Sequence, residues 1–224
     1  MLSRPDALVD LLSTGPENAA WRFLLAHGAG APMDSAFMTA IADGLAVKGI
    51  GCDRFEFPYM AARRVDGKKR PPNKADILMA TFDAAIAGSH TRYPDARLAI
   101  GGKSMGGRMA TLLAAQMDAG TATTNRNFSA IVTLGYPFHP PGKPDRLRTE
   151  HFHDIAVPVL MVQGTRDPFG NKTEVPAYTL PPRTTLFWSE DGDHDLKPRK
   201  SSGRTHEQSL SEVVETIAGF LGSL

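Results

Sequence analysis

The sequence predicts an α/β protein, a parallel sheet covered by helices on both faces. Three observations predict it. Apolar runs of strand length alternate with stretches of helical period along most of the chain, the pattern of a doubly wound sheet. Ile100-Gly101-Gly102-Lys103-Ser104-Met105-Gly106-Gly107-Arg108-Met109 leads from a strand-like run, Arg97 to Ile100, into helix-like Met109 to Ala115 through a glycine-rich turn. No repeat, low-complexity tract or linker divides the 224 residues. That length suits one domain, 1–224, able to bury roughly 70% of its unfolded surface.

The elements follow in order. Ala7 to Leu12 reads as a short edge strand or a helical turn. Trp21 to Ala26 reads as a strand, ending in His27-Gly28-Ala29-Gly30. A helix starts at Asp34 or Ser35, either able to cap it, carries Phe37, Met38, Ile41 and Leu45 on one face, and closes at Gly49. Cys52 to Phe57 is the next strand, stopped by Pro58. Ala61 to Pro72 is too polar and proline-broken for a core element, and the basic run Arg63 to Lys74 reads as a solvated loop or as a site for an anionic ligand. Asn73 with Asp76 opens a helix through Ile77, Leu78 and Phe82 to about Gly88. After the glycine-rich unit come strands at Ala130 to Gly135, Val157 to Gly164 and Thr184 to Trp188, with a proline-rich connection from Tyr136 to Asp154. Ser209 and Glu212 read as the capping box of a final helix carrying Val213, Val214, Ile217, Phe220 and Leu221.

Composition excludes several classes. A formal charge of +1 argues for neither nucleic acid nor a membrane surface as partner. No apolar segment reaches the ~20 residues that span a bilayer. No N-terminal run reads as a signal peptide, because Pro5, Asp6 and Asp10 interrupt the candidate. The lone Cys52 cannot form an intramolecular disulfide, fits a reducing, cytoplasmic setting, and reads as a small buried hydrophobe. His139, His151 and His153 match no closed zinc set and read as surface histidines, so no metal is expected.

Ser104 carries the chemistry. Glycines two before and two after it, between strand and helix, make the pattern of a nucleophile elbow. A phosphate-loop reading fails, because Arg97 stands where that motif needs a glycine. A serine hydroxyl attacks only if a base takes its proton, and the base needs an acid to hold its tautomer. Such groups gather after strand ends, and Asp167 and His194 each follow a predicted strand, in the chain order Ser, Asp, His. Asp193 and Asp195 flank His194, but Asp167 is the better orienting partner. Two N–H donors are needed for an oxyanion: Met105, directly after the serine, and Ala29 in the glycine loop. His27 reads as a structural hydrogen-bonding residue, and Lys103 and Arg108 as salt-bridging residues.

Leu25 to Gly30, Gly102 to Arg108 and Asp193 to Leu196 resemble the α/β-hydrolase superfamily, and the likeness covers essentially the whole chain. Within it they resemble a compact branch of dienelactone-hydrolase-like bacterial proteins, a testis-expressed hydrolase-like protein and a subunit of the NSL acetyltransferase complex. The resemblance implies an α/β-hydrolase fold without a cap domain; the chain is too short for the superfamily's eight strands, so about six to seven are expected, the first one or two being absent. It also implies a triad of Ser104, Asp167 and His194. The expected function is that of a carboxylesterase-like serine hydrolase, cleaving small carboxylic esters through an acyl-enzyme without a cofactor. The alternative is a hydrolase-like protein-interaction module with little turnover. A nucleotide-binding domain is disfavoured by the failed phosphate-loop spacing, and oligomeric state is open.

Overall fold

The computed structural model describes residues 9–116 and 127–224. Its strands are β1 (Leu12–Thr14), β2 (Trp21–Ala26), β3 (Gly51–Phe55), β4 (Arg97–Lys103), β5 (Ala130–Leu134), β6 (Val159–Gly164) and β7 (Thr184–Ser189). They form one sheet in the order β1-β3-β2-β4-β5-β6-β7, all parallel except β1, which pairs antiparallel with β3. An edge strand is present, but at Leu12–Thr14 rather than over Ala7 to Leu12: residues 9–11 form no regular element, and Ala7 and Leu8 lie outside the described residues. Seven strands are one short of the superfamily's eight, the upper end of the expectation.

The order of strands decides where a site can form. From β2 the chain moves outward to β3, then crosses back over β2 to β4 and continues the other way. This reversal splits the helices between two faces. Helices α1 (Ala36–Val47) and α5 (His206–Gly222) cover Phe23, Leu25, Val132 and Leu160 on one side. On the other, α3 (Ala75–Arg92) and α4 (Met105–Ala115) cover Leu24, Ile100 and Ile131. At the carboxyl ends of β2 and β4 the connecting segments diverge, and the crevice between them is where open α/β sheets bind ligands.

Three expectations need correction. The solvated loop begins later, because Pro58–Asp66 forms a helix, α2. Pro58 ends β3 but starts α2: proline lacks only an N–H that a first helical turn leaves unpaired. Gly67, in the left-handed region at φ 71°, closes that helix. The α2 surface is polar because only Tyr59 and Met60 are buried. Helix α3 is capped from Lys74 rather than Asn73 and runs past Gly88 to Arg92. The capping box of α5 is Thr205 with Gln208, not Ser209 with Glu212. Gln208 N–H donates to Thr205 Oγ1 (3.1 Å) and Thr205 N–H to Gln208 Oε1 (2.8 Å).

The connection from β5 to β6 holds a single 3-10 turn, Phe152–Asp154, and no cap domain. Among the described residues, no helix is long and apolar enough to cross a membrane.

Candidate active site

Ser104 follows the last residue of β4 and precedes the first of α4, with φ 51° and ψ −112°. A non-glycine residue held there stores strain of about 1–3 kcal/mol, which the surroundings must over-determine. They do so by close packing. A Cβ on Gly102 would lie 2.4 Å from Ala26 O, and one on Gly106 2.5 Å from the same atom. Only glycine lets the turn enter the helix this close to β2, which is the physical content of the Gly-x-Ser-x-Gly spacing. Ser104 N–H donates to Leu134 O at 2.9 Å, tying the turn to β5.

The turn aims Ser104 at a line of hydrogen bonds. Ser104 Oγ lies 2.9 Å from His194 Nε2, and His194 Nδ1 lies 2.8 Å from Asp167 Oδ2. Asp167 is fully buried and meets two further donors, Gln163 Nε2 on Oδ2 (2.9 Å) and Phe169 N–H on Oδ1 (2.8 Å). Both of its oxygens are thus used, and the carboxylate cannot turn. The Phe169 ring lies against the His194 ring, centroids 4.2 Å apart. Asp193 Oδ1 instead accepts from Asp195 N–H and Lys197 N–H, and Asp195 faces Lys103, so neither orients the imidazole. This arrangement can carry a proton from hydroxyl to imidazole while the acid holds the tautomer.

The expected donors Met105 and Ala29 occupy different elements. Met105 is the first residue of α4, so its N–H has no intrahelical acceptor. Ala29 and Ser104 line the same cleft, of about 370 Å³, with Gly28, Gly30, Phe37, Met38 and His194. The peptide between Gly28 and Ala29 is held from behind. Gly28 O accepts from His27 Nδ1 (2.7 Å) and from the Tyr59 hydroxyl (3.2 Å), which also reaches Ala29 O (3.1 Å). A trans peptide points its C=O and N–H in opposite directions, so Ala29 N–H turns away from Tyr59. His27 Nε2 accepts from Phe57 N–H (3.1 Å), leaving Nδ1 the donor; burial pushes its pKa down. It is the structural histidine expected.

A family model described as an alpha/beta hydrolase domain matches residues 19–222. The chain belongs to the α/β-hydrolase family. Several solved structures share this hydrolase fold. A dienelactone hydrolase from Anabaena variabilis is 16% identical, with TM-score 0.67, over 93% of this chain and 88% of that one. An esterase domain from Rhodothermus marinus is 14% identical, with TM-score 0.64, over 94% and 90%. A serine hydrolase without a lid from Xanthomonas campestris is 19% identical, with TM-score 0.61, over 93% and 87%.

Several residues of the candidate site escape sequence reading. Gln163 is a buried polar residue inside an apolar strand, a signal that could have flagged it. Tyr59 lies in the first turn of α2, between the predicted strand and the predicted loop, where no sequence pattern singles it out. Lys103 salt-bridges as expected, to Asp195 (3.3 Å), but its Nζ also donates to His194 O (2.6 Å), tethering the histidine loop to the residue before Ser104. Burial lowers the Lys103 pKa, against the pull of Asp195. Arg108 makes no ion pair among the described residues, against expectation.

The basic segment is largely spent on structure. Arg64 bridges Asp34 and Glu56, Arg70 pairs with Asp66, and Arg63 donates to Gly30 O (3.3 Å). The three histidines are not all on the surface: His139 is buried beside Glu174, and His151 is half-buried on Thr111 because its loop packs on α4. Among the described residues no cluster could hold a metal ion. Cys52 is a free, buried thiol that burial pushes up to about 12, as a core hydrophobe.

Proposed function

We propose that this chain is a serine hydrolase that cleaves small carboxylic esters through an acyl-enzyme. The observation that carries the reading is the continuous line Ser104 Oγ, His194 Nε2, His194 Nδ1, Asp167 Oδ2, with links of 2.9 and 2.8 Å. Hydrogen-bond reach between nucleophile, base and orienting acid is the geometric requirement for activating a hydroxyl. Membership of the hydrolase family and a fold shared with an esterase domain support it.

In this reading Ser104 Oγ attacks the ester carbon as its proton passes to His194 Nε2. The carbonyl π electrons move to oxygen, and the N–H groups of Met105 and Ala29 stabilise that oxyanion. Collapse breaks the C–O bond to the alcohol, which leaves with the proton from His194. Water then repeats the sequence on the acyl-Ser104 ester, with His194 again as base, releasing the acid and restoring the serine. Asp167 keeps the Nδ1–H tautomer and stabilises the imidazolium. No cofactor takes part.

The test is p-nitrophenyl acetate hydrolysis by wild type and Ser104→Ala. Wild type is expected to release a burst of about one nitrophenolate per chain when deacylation is slow, and the variant none. Wild-type-like turnover in Ser104→Ala would remove the nucleophile. Absence of hydrolysis in wild type would favour a hydrolase-like interaction module.

A further inference from the structure

One turn along α4 from Ser104 begins a group of two arginines and a histidine whose guanidinium groups pair with no carboxylate among the described residues. Arg108 stands one turn into α4, and its N–H donates to Ser104 O (3.1 Å). Arg148 and His151 belong to the connection from β5 to β6. Thr111 Oγ1 joins these elements, donating to Arg108 O (2.9 Å) and accepting from His151 Nε2 (2.9 Å). Tyr136 donates its hydroxyl to Arg148 O (2.8 Å) and lies against Thr111. Burial, then the charge of Arg108, lowers the pKa of both Arg148 and His151, the latter to about 4.

Among the described residues neither guanidinium donates a hydrogen bond or forms an ion pair, and Arg108 Nε is buried with no acceptor. Other arginines differ: Arg22 pairs with buried Asp53, Arg64 with two carboxylates, Arg199 with Asp191. The acids that face the group are Glu150, which is exposed, and Asp154, which faces His153 at 3.2 Å. A desolvated cation with no partner is costly, and a second cation beside it adds to the cost. A bound oxyanion reverses the sign of both effects, and the guanidinium fork matches carboxylate and phosphate oxygens.

We infer that Arg108 and Arg148, with His151 beside them, bind a carboxylate or phosphate group between α4 and the β5–β6 connection, one to two turns along α4 from Ser104. The site flanks the reacting residues on the β5 side, away from the cleft at the Gly28 loop. Tyr136 links the two sites, since its N–H donates to the same Gln163 that holds Asp167 (2.8 Å). The anion is either a group carried by the substrate or a separate small anion. The first source rests on the hydrolase reading; the second does not.

The test titrates inorganic phosphate into the full chain at constant ionic strength, following Tm and heat, for wild type, Arg108→Gln, Arg148→Gln and Arg148→Lys. Saturable stabilisation of wild type is expected. Affinity should fall at least tenfold in each Gln variant and be partly retained in Arg148→Lys. If Arg108→Gln does not fold, the pair Arg148→Gln and Arg148→Lys, in the β5–β6 connection, decides. Equal affinity in wild type and the Gln variants, or no saturable binding, overturns the site. A second arm compares kcat/KM for short esters with and without a terminal carboxylate. A preference for the anionic ester that drops about tenfold in Arg148→Gln puts the anion on the substrate. Arginine-dependent phosphate binding without that preference leaves the site in place for a separate anion. Should no ester be hydrolysed, the phosphate arm still decides, so failure of the hydrolase reading is seen separately.

Discussion

The hydroxyl of Tyr59 lies within hydrogen-bond distance of two successive carbonyls, Gly28 O at 3.2 Å and Ala29 O at 3.1 Å. It thereby fixes the peptide whose N–H serves, in the proposed mechanism, as the second oxyanion donor. Loss of an oxyanion donor typically costs 10²–10³ in kcat; loosening one costs less. Tyr59→Phe is therefore expected to lower kcat by about tenfold while changing KM little. The check is steady-state kinetics on a short p-nitrophenyl ester. Unchanged kcat would show that His27 alone holds the loop.

Asp167→Asn keeps the shape of the buried group but offers an N–H where His194 needs an acceptor. The expectation is a loss on the order of 10⁴-fold in kcat, with the denaturation midpoint close to wild type. If Asp193→Asn or Asp195→Asn gave the large loss instead, the orienting acid would be reassigned.

Glycines separate into those that hold the elbow and those that do not. Gly106→Ala puts a methyl 2.5 Å from Ala26 O, a backbone atom that cannot swing away. Overpacking of this kind costs about 1–3 kcal/mol or more. Gly219→Ala, in α5 with no atom within 4 Å, should instead stabilise by roughly 0.5–1 kcal/mol through helix propensity. Urea unfolding of both variants checks the contrast; equal shifts would contradict it.

Stability should fall on acidification through the histidines. His27 and His151 both have pKa values lowered by burial, His151 to about 4. Below the ordinary histidine value of about 6.5 the unfolded chain binds protons that the folded chain does not. Stability is therefore fully present above that value and declines as pH falls toward 4. His151→Gln should flatten part of the decline in Tm between pH 6.5 and 4. An unchanged slope would mean that His151 takes up its proton without cost.

The cleft near Ser104 is small and no cap among the described residues covers it, so long acyl chains would stay in water, forgoing about 0.8 kcal/mol per CH₂. Acetyl and butyryl esters should give higher kcat/KM than octanoyl or longer ones. A rising series would point to a longer apolar groove.

The three residues that the structure joins in one hydrogen-bonded line, Ser104, His194 and Asp167, are the ones that local pattern marks in the sequence. The elbow shows itself because its glycines are required within a few positions of Ser104, and Asp167 and His194 because each follows an apolar strand. What is missed depends on long-range contact. Pro58 serves equally as a strand stop and a helix start, so α2 is missed: its part from Ala61 on reads as loop and Tyr59 goes unmarked. Thr205 and Ser209 both offer a cap, and only the packing of Ser209 against the core rules it out. Gln163 stands out as a polar residue in an apolar strand, but its partners Tyr136, Asp167 and Gly170 come together on it only in the fold.

The central claim is that Ser104 is a nucleophile activated by His194. The most direct measurement is intact and peptide mass spectrometry after incubation with a fluorophosphonate, which reacts with activated serines. The account predicts one adduct per chain, on the peptide containing Ser104, lost in Ser104→Ala and strongly slowed in His194→Gln. An unlabelled wild type, or an adduct on another residue, would contradict it.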